Sequence, residues 1–300
     1  MDRPAVIVIT GATASGKTAV AIDVAERLGC DIISADSRQI YAGIPIATAA
    51  PTPAELARVH HHFVATLPLD SYYSAAQFEH DAMQLLPGLL DRDGCAVVCG
   101  GSMMYVDALT DGIDDLPTIS DAVRRRVLDL LEQHGLPGVL ALLENLDPQG
   151  AATIDRNNPR RVAHALEICL QAGVPYSSLL GARRTQRDFD IIKVAIDRPR
   201  HELFDRINRR VELMRQAGLE DEARSVFHLR HLNSLNTVGL KEMFDMFDGK
   251  LDRSTAFDRL AKNTRVYAKK QLTWLARPGV RPAIFVNPDT AVEDILKLHP

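Results

Sequence analysis

The amino-acid sequence predicts an α/β fold in which a parallel sheet carries a phosphate-binding loop (P-loop) and an all-helical domain is inserted into the chain. Residues 11–18 read Gly-Ala-Thr-Ala-Ser-Gly-Lys-Thr and match the G-x-x-x-x-G-K-[ST] pattern at every fixed position. Residues 117–188 carry helical patterns alone, whereas both strand and helix patterns occur in the parts of the chain before and after this segment. We therefore predict a P-loop α/β core of residues 1–116 and 189–300 and a helical insertion of residues 117–188.

The first part of the core reads as three strands separated by helices. The strand patterns are Val6–Ile9, Asp31–Ala35 and Ala96–Cys99, and the helical patterns are Ala19–Leu28 and Ser74–Leu90. Parallel strands of this kind place binding sites at their carboxyl ends. Because Asp36 and Ser102 closely follow the second and third strands, we expect both to lie beside the loop.

The remaining elements follow from periodicity and stop signals. In the insertion, Ser120 is expected to cap a helix that stops at Gly135, and further helices are expected over residues 139–146 and 160–171. The core then resumes, with the expected elements being a strand at Ile191–Ile196, a helix from Leu203 to Met214 ended by Gly218, a basic helix over residues 255–275 and a last strand at Pro282–Val286.

Composition places the chain among ordinary globular proteins. Of its 300 residues, 46% are hydrophobic and 25% are charged, and the formal net charge is −4. No apolar run approaches the roughly 20 residues of a membrane span, so no membrane association is expected. The four cysteines, at positions 30, 95, 99 and 169, form no metal-binding spacing. We expect reduced thiols, a cytoplasmic location and a monomer.

Charge is distributed unevenly along the chain. Residues 1–115 carry 6 Lys and Arg against 15 Asp and Glu, whereas residues 116–300 carry 29 against 24. One basic stretch lies within residues 251–277, and the other contains Arg156, Arg160, Arg161, Arg183, Arg184 and Arg187. Such stretches are typical of surfaces that bind nucleic acid. Solvated helix faces are an equally good interpretation of charge alone.

The loop motif is the candidate binding site for a phosphate or diphosphate group. Successive backbone N–H groups and the start of the next helix would face the anion, Lys17 would add a full charge, and the Thr18 hydroxyl would hold Mg²⁺. The candidate binding residues are Gly11, Ala12, Thr13, Ala14, Ser15, Gly16, Lys17 and Thr18.

The acid that helps to hold magnesium in many nucleoside-triphosphate hydrolases is missing from its usual place. The third strand pattern ends in Cys99-Gly100-Gly101, and the acid at a strand end near the loop is Asp36. This argues against routine ATP hydrolysis and leaves ATP binding open. Asp36 is a candidate general base. A carboxylate that caps a turn or reaches magnesium is the alternative.

The chain carries a series of further motifs after the loop motif: Ser34–Tyr41, Tyr73–Phe78, Gly100–Tyr105, Leu116–Pro117, Asp147–Ala152, Asn158–Ile168, Arg206–Leu219, Val238–Glu242 and Asn263–Trp274. Over roughly residues 6–275 this series resembles the tRNA dimethylallyltransferase (isopentenyltransferase) family. A phosphate loop alone says little about function, whereas this whole series in the family's order is specific.

The resemblance implies transfer of a dimethylallyl group from dimethylallyl diphosphate to N6 of the adenine that follows the anticodon in tRNA, with Mg²⁺ as cofactor. It implies that Asp36 accepts the N6 proton and that Ser102 positions Asp36. Lys17 and Arg210 would stabilise the charge that develops on the leaving diphosphate. A turn cap for Ser102 and a surface helix charge for Arg210 are the alternatives.

The resemblance also implies contacts with the anticodon stem-loop, from which the adenine must unstack. The residues implied are Asp36, Ser37, Arg38, Gln39, Ser102, Arg124, Arg160, Arg161, Val162, Ala163, His164, Asn236, Thr237, Val238, Gly239, Leu240 and Lys241. The chain departs from the family's usual residues at Ala12 (proline), Ser102 (threonine), Asn158 (aspartate), His164 (arginine), Asn236 (arginine in some relatives) and Leu240 (aromatic).

Other functions stay open at this level. A related enzyme could prenylate free adenine nucleotides, a small-molecule kinase could use the same loop, and a non-catalytic protein could bind RNA through the basic stretches. The run His60-His61-His62 invites a metal site. Three consecutive histidines cannot all face one ion on a regular element, so no metal is assigned to them.

Overall fold

A computed structural model describes residues 3–114, 116–181, 186–277 and 283–299. The chain divides into two compact units. Residues 1–111 and 186–300 form the first, here called the α/β unit, and residues 112–185 form the second, here called the helical unit. The predicted insertion, residues 117–188, is displaced from the helical unit by a few residues at each end.

Strands and helices are interleaved over the first 100 residues, and helices predominate after that. The strands are β1 (Ala5–Gly11), β2 (Ile32–Ser34), β3 (His61–His62), β4 (Cys95–Cys99), β5 (Asp190–Ile196) and β6 (Ile284–Val286). The helices are α1 (Lys17–Leu28), α2 (Pro45–Thr48), α3 (Pro53–Arg58), α4 (Ala75–Asp93), α5 (Met103–Asp111), α6 (Asp121–Leu146), α7 (Pro148–Thr153), α8 (Pro159–Ala172), α9 (Arg200–Gln216), α10 (Leu219–Val226), α11 (Leu240–Phe247), α12 (Arg253–Leu275) and α13 (Ala291–Leu298).

Within the described residues, the α/β unit contains one six-stranded sheet of order β3-β2-β4-β1-β5-β6. Every pairing in it is parallel. All seven residues of β1 are buried, because α1 packs on the sheet through Val20 and Val24 against Ile7 and Ile9. Burial on both faces explains why this strand reads as a continuous apolar run rather than an alternating one. The sheet brings the carboxyl ends of β1, β2 and β4 to one edge.

The predicted α/β class is confirmed. The strands expected near residues 6, 31, 96 and 191 are present as β1, β2, β4 and β5. The last strand is present as β6, and Pro282, where it was expected to begin, lies outside the described residues. The two-residue strand β3 was not predicted, since so short a segment carries no periodicity.

The helical unit is organised around α6 and α8. At Gly135 the backbone of α6 leaves the helical region (φ 64°, ψ −175°), which is where a helix stop was predicted. Val127 and Leu143 of α6 pack with Leu166 of α8 in the core of this unit. Asp147 begins α7 and is almost fully buried. No helix among the described residues has both the length and the apolar character that crossing a bilayer requires.

Candidate active site

Two glycines with positive φ shape the loop between β1 and α1. Gly11 adopts φ +152°, and a Cβ there would lie 2.7 Å from Ser15 Oγ. Gly16, which precedes α1, adopts φ +101°. The Ser15 hydroxyl is buried and has no hydrogen-bond partner among the described residues. A tight turn with an unsatisfied donor beside a helix start fits an anion.

Lys17, the first residue of α1, is half-buried. Burial lowers the pKa of its ammonium group, and the positive charge of Arg210 lowers that pKa further. A Cβ at Gly101 would lie 3.5 Å from Lys17 Nζ, so the ammonium group reaches the carboxyl end of β4. A poorly solvated cation in this position interacts strongly with an anion bound in the loop.

Three arginines surround the loop from the other side. Arg198 Nε donates to the Ser15 carbonyl at 3.1 Å, Arg206 Nε donates to the Ala14 carbonyl at 2.7 Å, and Arg210 Nη1 donates to Thr13 Oγ1 at 3.2 Å. Burial and the neighbouring Arg206 lower the pKa of Arg210. Arg210 is therefore a half-buried cation that contacts the loop, which favours the predicted role beside the diphosphate over that of a surface helix charge.

Arg198 and Arg206 were not predicted as site residues. Arg206 lies four positions before Arg210 on α9, and this spacing places both side chains on one helix face. That spacing was a signal in the sequence for Arg206. Arg198 precedes α9, in the connection that follows β5, and only the sheet order brings it to the loop.

Asp36 lies in the turn that follows β2. Its Oδ1 accepts hydrogen bonds from the backbone N–H groups of Arg38 (2.9 Å) and Gln39 (3.3 Å). Among the described residues, Oδ2 has no hydrogen-bond partner. One oxygen thus caps a turn, as the alternative interpretation held, and the second is available for chemistry. Ser102 Oγ accepts from Ser37 N at 2.8 Å, so Ser102 holds the turn rather than the Asp36 carboxylate itself.

Gln271 connects the loop to the end of β4. Its side chain is nearly inaccessible; Oε1 accepts from Thr13 N at 2.7 Å, and Nε2 donates to the Gly101 carbonyl at 2.9 Å. A Cβ at Gly101 would lie 2.5 Å from Nε2, which requires glycine there. Gln271 is a functional residue that sequence reasoning missed, since its partners lie more than 160 positions away.

A cavity of about 350 Å³ opens between the loop and the Asp36 turn. Its polar wall contains Thr13, Asp36, Ser37, Arg38, Ser102 and Arg210. Its apolar wall contains Ala47, Val211, Met214, Val238 and Leu260. Tyr267 also borders the cavity, and burial together with the Asp36 charge raises the pKa of its phenol to about 12. The cavity can therefore hold one anionic group and one apolar group side by side.

The other predicted RNA contacts in the α/β unit lie in several different environments. Asn236, Thr237 and Val238 border the cavity, and Lys241 is exposed on α11. Leu240 is fully buried in the core under α11, which corrects its assignment as an RNA contact. The side chains of Arg38 and Gln39 are held by backbone carbonyls, and the buried Gly239 N–H donates to Glu242.

The predicted contacts in the helical unit lie on α6 and α8. Arg124, Arg160, Arg161 and His164 are exposed, and Ala163 is half-buried. Val162 is fully buried in the core of this unit, so its side chain cannot meet RNA and that assignment is corrected. Asn158 caps α8 by accepting from Arg161 N at 3.3 Å, the role that an aspartate would also fill.

The basic stretch that runs to residue 187 does not form one surface. Arg156 pairs with Glu144 at 2.5 Å. Arg187 belongs to the α/β unit, where it is buried and binds Glu79 and the carbonyls of Ala108 and Leu109. Arg183 and Arg184 lie outside the described residues. Among the described residues of this stretch, Arg160 and Arg161 are thus the exposed arginines of the helical unit without an ion-pair partner.

The fold and the site define a parallel α/β protein in which the loop residue Thr13, the half-buried Arg210 and the half-buried carboxylate of Asp36 border one cavity. The chain belongs to the IPP transferase family, whose model matches residues 39–278. The match begins after the loop motif and Asp36. The family resemblance drawn from the sequence motifs is thus confirmed, as is the class of enzyme, a prenyl-group transferase.

The individual relatives agree with this assignment. The chain is 47% identical to tRNA dimethylallyltransferase 1 of Phocaeicola vulgatus over 98% of this chain and 97% of the relative. It resembles the structure of a tRNA isopentenylpyrophosphate transferase from Bacillus halodurans with 31% identity, TM-score 0.68 and 99% coverage of both chains. A eukaryotic dimethylallyltransferase acting on tRNA shares the fold, with 24% identity, TM-score 0.84 and coverage of 99% of this chain and 80% of the other.

Proposed function

We propose that this chain is a cytoplasmic, monomeric prenyltransferase that moves a dimethylallyl group from dimethylallyl diphosphate to N6 of the adenine 3′-adjacent to the anticodon in tRNA. The observation that supports this most directly is the single cavity bordered by Thr13 of the loop, Asp36 and Arg210. It provides an anion site, a base and an apolar wall within one small volume. The names of the relatives support tRNA as the acceptor.

The loop would bind the diphosphate, which is the leaving group. Arg198 and Arg206 hold the carbonyl oxygens of Ser15 and Ala14. The N–H groups of Lys17 and Thr18 at the start of α1, which have no acceptor within the helix, would face the anion. Lys17 and Arg210 would stabilise the charge that grows on the departing oxygen. Because both cations are poorly solvated, little reorganisation is needed at the moment of bond cleavage.

The residues of the loop also fit Mg²⁺. Thr18 is the second residue of α1 and is half-buried, and the Ser15 hydroxyl beside it has no partner among the described residues. The Thr18 hydroxyl would hold the ion together with diphosphate oxygens. When bound, Mg²⁺ would supply further positive charge to the leaving group.

In the proposed reaction, the N6 nitrogen of adenine forms a bond to C1 of the dimethylallyl group while the C1–O bond breaks. The proton from N6 moves to Oδ2 of Asp36, and inorganic diphosphate leaves. Ser102 and the backbone N–H groups of residues 38 and 39 hold the Asp36 turn in place. Val211, Met214 and Leu260 would surround the dimethylallyl group and exclude water, which would otherwise attack the same carbon.

The decisive experiment is nucleoside mass spectrometry of unmodified tRNA after incubation with the protein, Mg²⁺ and dimethylallyl diphosphate. The proposal expects an adenosine heavier by one dimethylallyl unit, only in tRNAs with adenine after the anticodon. Product on free AMP but not on RNA would move the protein to the nucleotide prenyltransferases. Phosphoryl transfer from ATP without prenyl transfer would indicate a kinase. Light scattering after size-exclusion chromatography measures the molar mass in solution and so tests whether the protein is a monomer.

A further inference from the structure

The edge of the sheet farthest from β6 holds a group of metal-ligating side chains that the proposed reaction does not use. Strands β2 and β3 pair in parallel, with Ile32 opposite His61, and Ile32 N donates to the His60 carbonyl at 2.9 Å. Asp31 and His60 therefore lie side by side where the two strands begin. This is the opposite end of β2 from the Asp36 turn.

Three side chains converge here. Ligand atoms of Asp31, His60 and His62 lie within 4.8 Å of one another, and the described residues contain one such group. The rings of His60 and His62 have centroids 4.4 Å apart at an interplanar angle of 83°. Strand alternation puts these two histidines on one face and His61 on the other, where its Nδ1 lies 2.8 Å from the Val59 carbonyl.

The electrostatics of the group favour a cation. Asp31 Oδ2 accepts from His62 Nε2 at 2.9 Å and lies 3.1 Å from the Arg92 guanidinium. Arg92 is largely exposed and also pairs with Asp93, so its side chain can withdraw from Asp31 at little cost.

We propose that Asp31, His60 and His62 form a binding site for a divalent transition metal of the Zn²⁺ class. Two imidazoles and one carboxylate are the donors that such ions prefer, and remaining positions would be filled by water. The sequence run of three histidines suggested a metal but supplied the wrong third ligand. The structure replaces His61 with Asp31 of the neighbouring strand.

A metal in this site would clamp β3 to β2. Strand β3 has only two residues, and the segment after it is held by Ala65 N and Thr66 N, which donate to the carbonyls of Gln39 and Ile40 at 2.8 Å each. That segment therefore lies against the turn that begins at Asp36. Bound metal should raise the melting temperature of the protein, since it binds the folded pairing of β2 and β3 and not the unfolded chain.

The test uses full-length, untagged, chelator-treated protein, with Zn²⁺ titrated by calorimetry and Co²⁺ followed by absorption spectroscopy. We expect one equivalent of Zn²⁺ to bind with micromolar or tighter affinity and Co²⁺ to show ligand-field bands without a thiolate charge-transfer band. His60→Ala, His62→Ala and Asp31→Asn should each weaken Zn²⁺ binding at least about tenfold. His61→Ala is the matched control and should bind as the unaltered protein does.

Several outcomes would overturn the proposal. These are the absence of Zn²⁺ binding at micromolar concentrations, equal weakening by His61→Ala and His62→Ala, or a thiolate band that assigns the metal to Cys30 or Cys95 instead. Circular dichroism of each variant separates lost binding from lost folding, and Asp31→Asn preserves side-chain shape if a histidine variant does not fold. These measurements do not depend on prenyl transfer. A negative result for the metal site would therefore leave the proposed function unaffected, and the reverse also holds.

Discussion

The two units of the protein place positive charge in opposite environments. In the α/β unit, Lys17 and Arg210 are half-buried beside the loop, and burial lowers the pKa of each. In the helical unit, Arg124, Arg160 and Arg161 are exposed on α6 and α8. Poorly solvated cations interact strongly with one small anion. Exposed cations are screened over about 10 Å at 0.1 M salt and suit a long polyanion approached through water.

The two units also differ in how a carboxylate is hydrogen-bonded, as Asp147 and Asp36 show. In the helical unit, the buried Asp147 is saturated: Oδ1 accepts from Gly150 N and Ser177 Oγ, and Oδ2 accepts from Ser177 N. In the α/β unit, Asp36 uses one oxygen for its turn and has no partner for the other among the described residues. Both oxygens of Asp147 are thus committed to the fold, whereas Asp36 keeps one oxygen without a partner among the described residues.

The largest expected effect is on Asp36. Asp36→Asn keeps an Oδ1 acceptor for the N–H groups of Arg38 and Gln39, so the turn and the affinity for tRNA should be preserved. It removes the base, and single-turnover prenyl transfer should slow by on the order of a hundredfold or more. Full activity in this variant would show that Asp36 is structural like Asp147.

Lys17→Met should weaken binding of inorganic diphosphate by roughly tenfold to a hundredfold, the value of a charge-assisted hydrogen bond. The pH dependence has a definite sign. Since burial lowers the pKa of Lys17 below its usual 10.5, the unaltered protein should lose diphosphate affinity as pH rises from neutral into the alkaline range. Titration calorimetry of both proteins at several pH values measures this. An alkaline loss of equal size in Lys17→Met would assign it to another group.

Asp147→Asn should destabilise the helical unit by about 2 kcal/mol. The amide oxygen can still accept from Gly150 N and Ser177 Oγ, but the amide nitrogen that replaces Oδ2 cannot accept from Ser177 N and places two donors face to face in a buried site. Those hydrogen bonds outweigh burial and lower the pKa of Asp147 below 3.8. The carboxylate therefore stabilises the fold above about pH 4 and loses that contribution as pH falls further. Hydrogen exchange of α7 in the whole protein measures the loss. Asp129→Asn, at an exposed position of α6, is the control, and similar exchange in both variants would contradict the assignment.

The smallest effect is expected from the exposed arginines. Arg160→Ala with Arg161→Ala should raise the KM for tRNA several-fold and reduce its dependence on salt by about one unit of log slope per arginine. The KM for dimethylallyl diphosphate should not change. Arg156→Ala, which removes an arginine already paired with Glu144, is the matched control. A change in the KM for the diphosphate substrate would contradict this prediction, because it would show that the exposed arginines also affect the diphosphate site.

Features encoded by local spacing were predictable from the sequence. The loop motif, the continuous apolar pattern of β1, the helix break at Gly135 and the position of Asp36 after β2 each depend on residues close together in the chain. Such features can be predicted without knowing which distant residues contact them, because they depend on local backbone conformation and on the apolar pattern of a buried strand. The class of fold and the family followed from them.

Features that join distant residues were decided by the tertiary structure alone. Gln271 bridges Thr13 and Gly101, Arg198 reaches Ser15, and Asp31 lies beside His60 and His62. Val162 and Leu240 sit in motifs that suggested RNA contact, yet packing buries both. A sequence specifies which residue types are present and their local period. Which hydrogen-bond donor meets which acceptor depends on the order of strands in the sheet and on which helix faces the core.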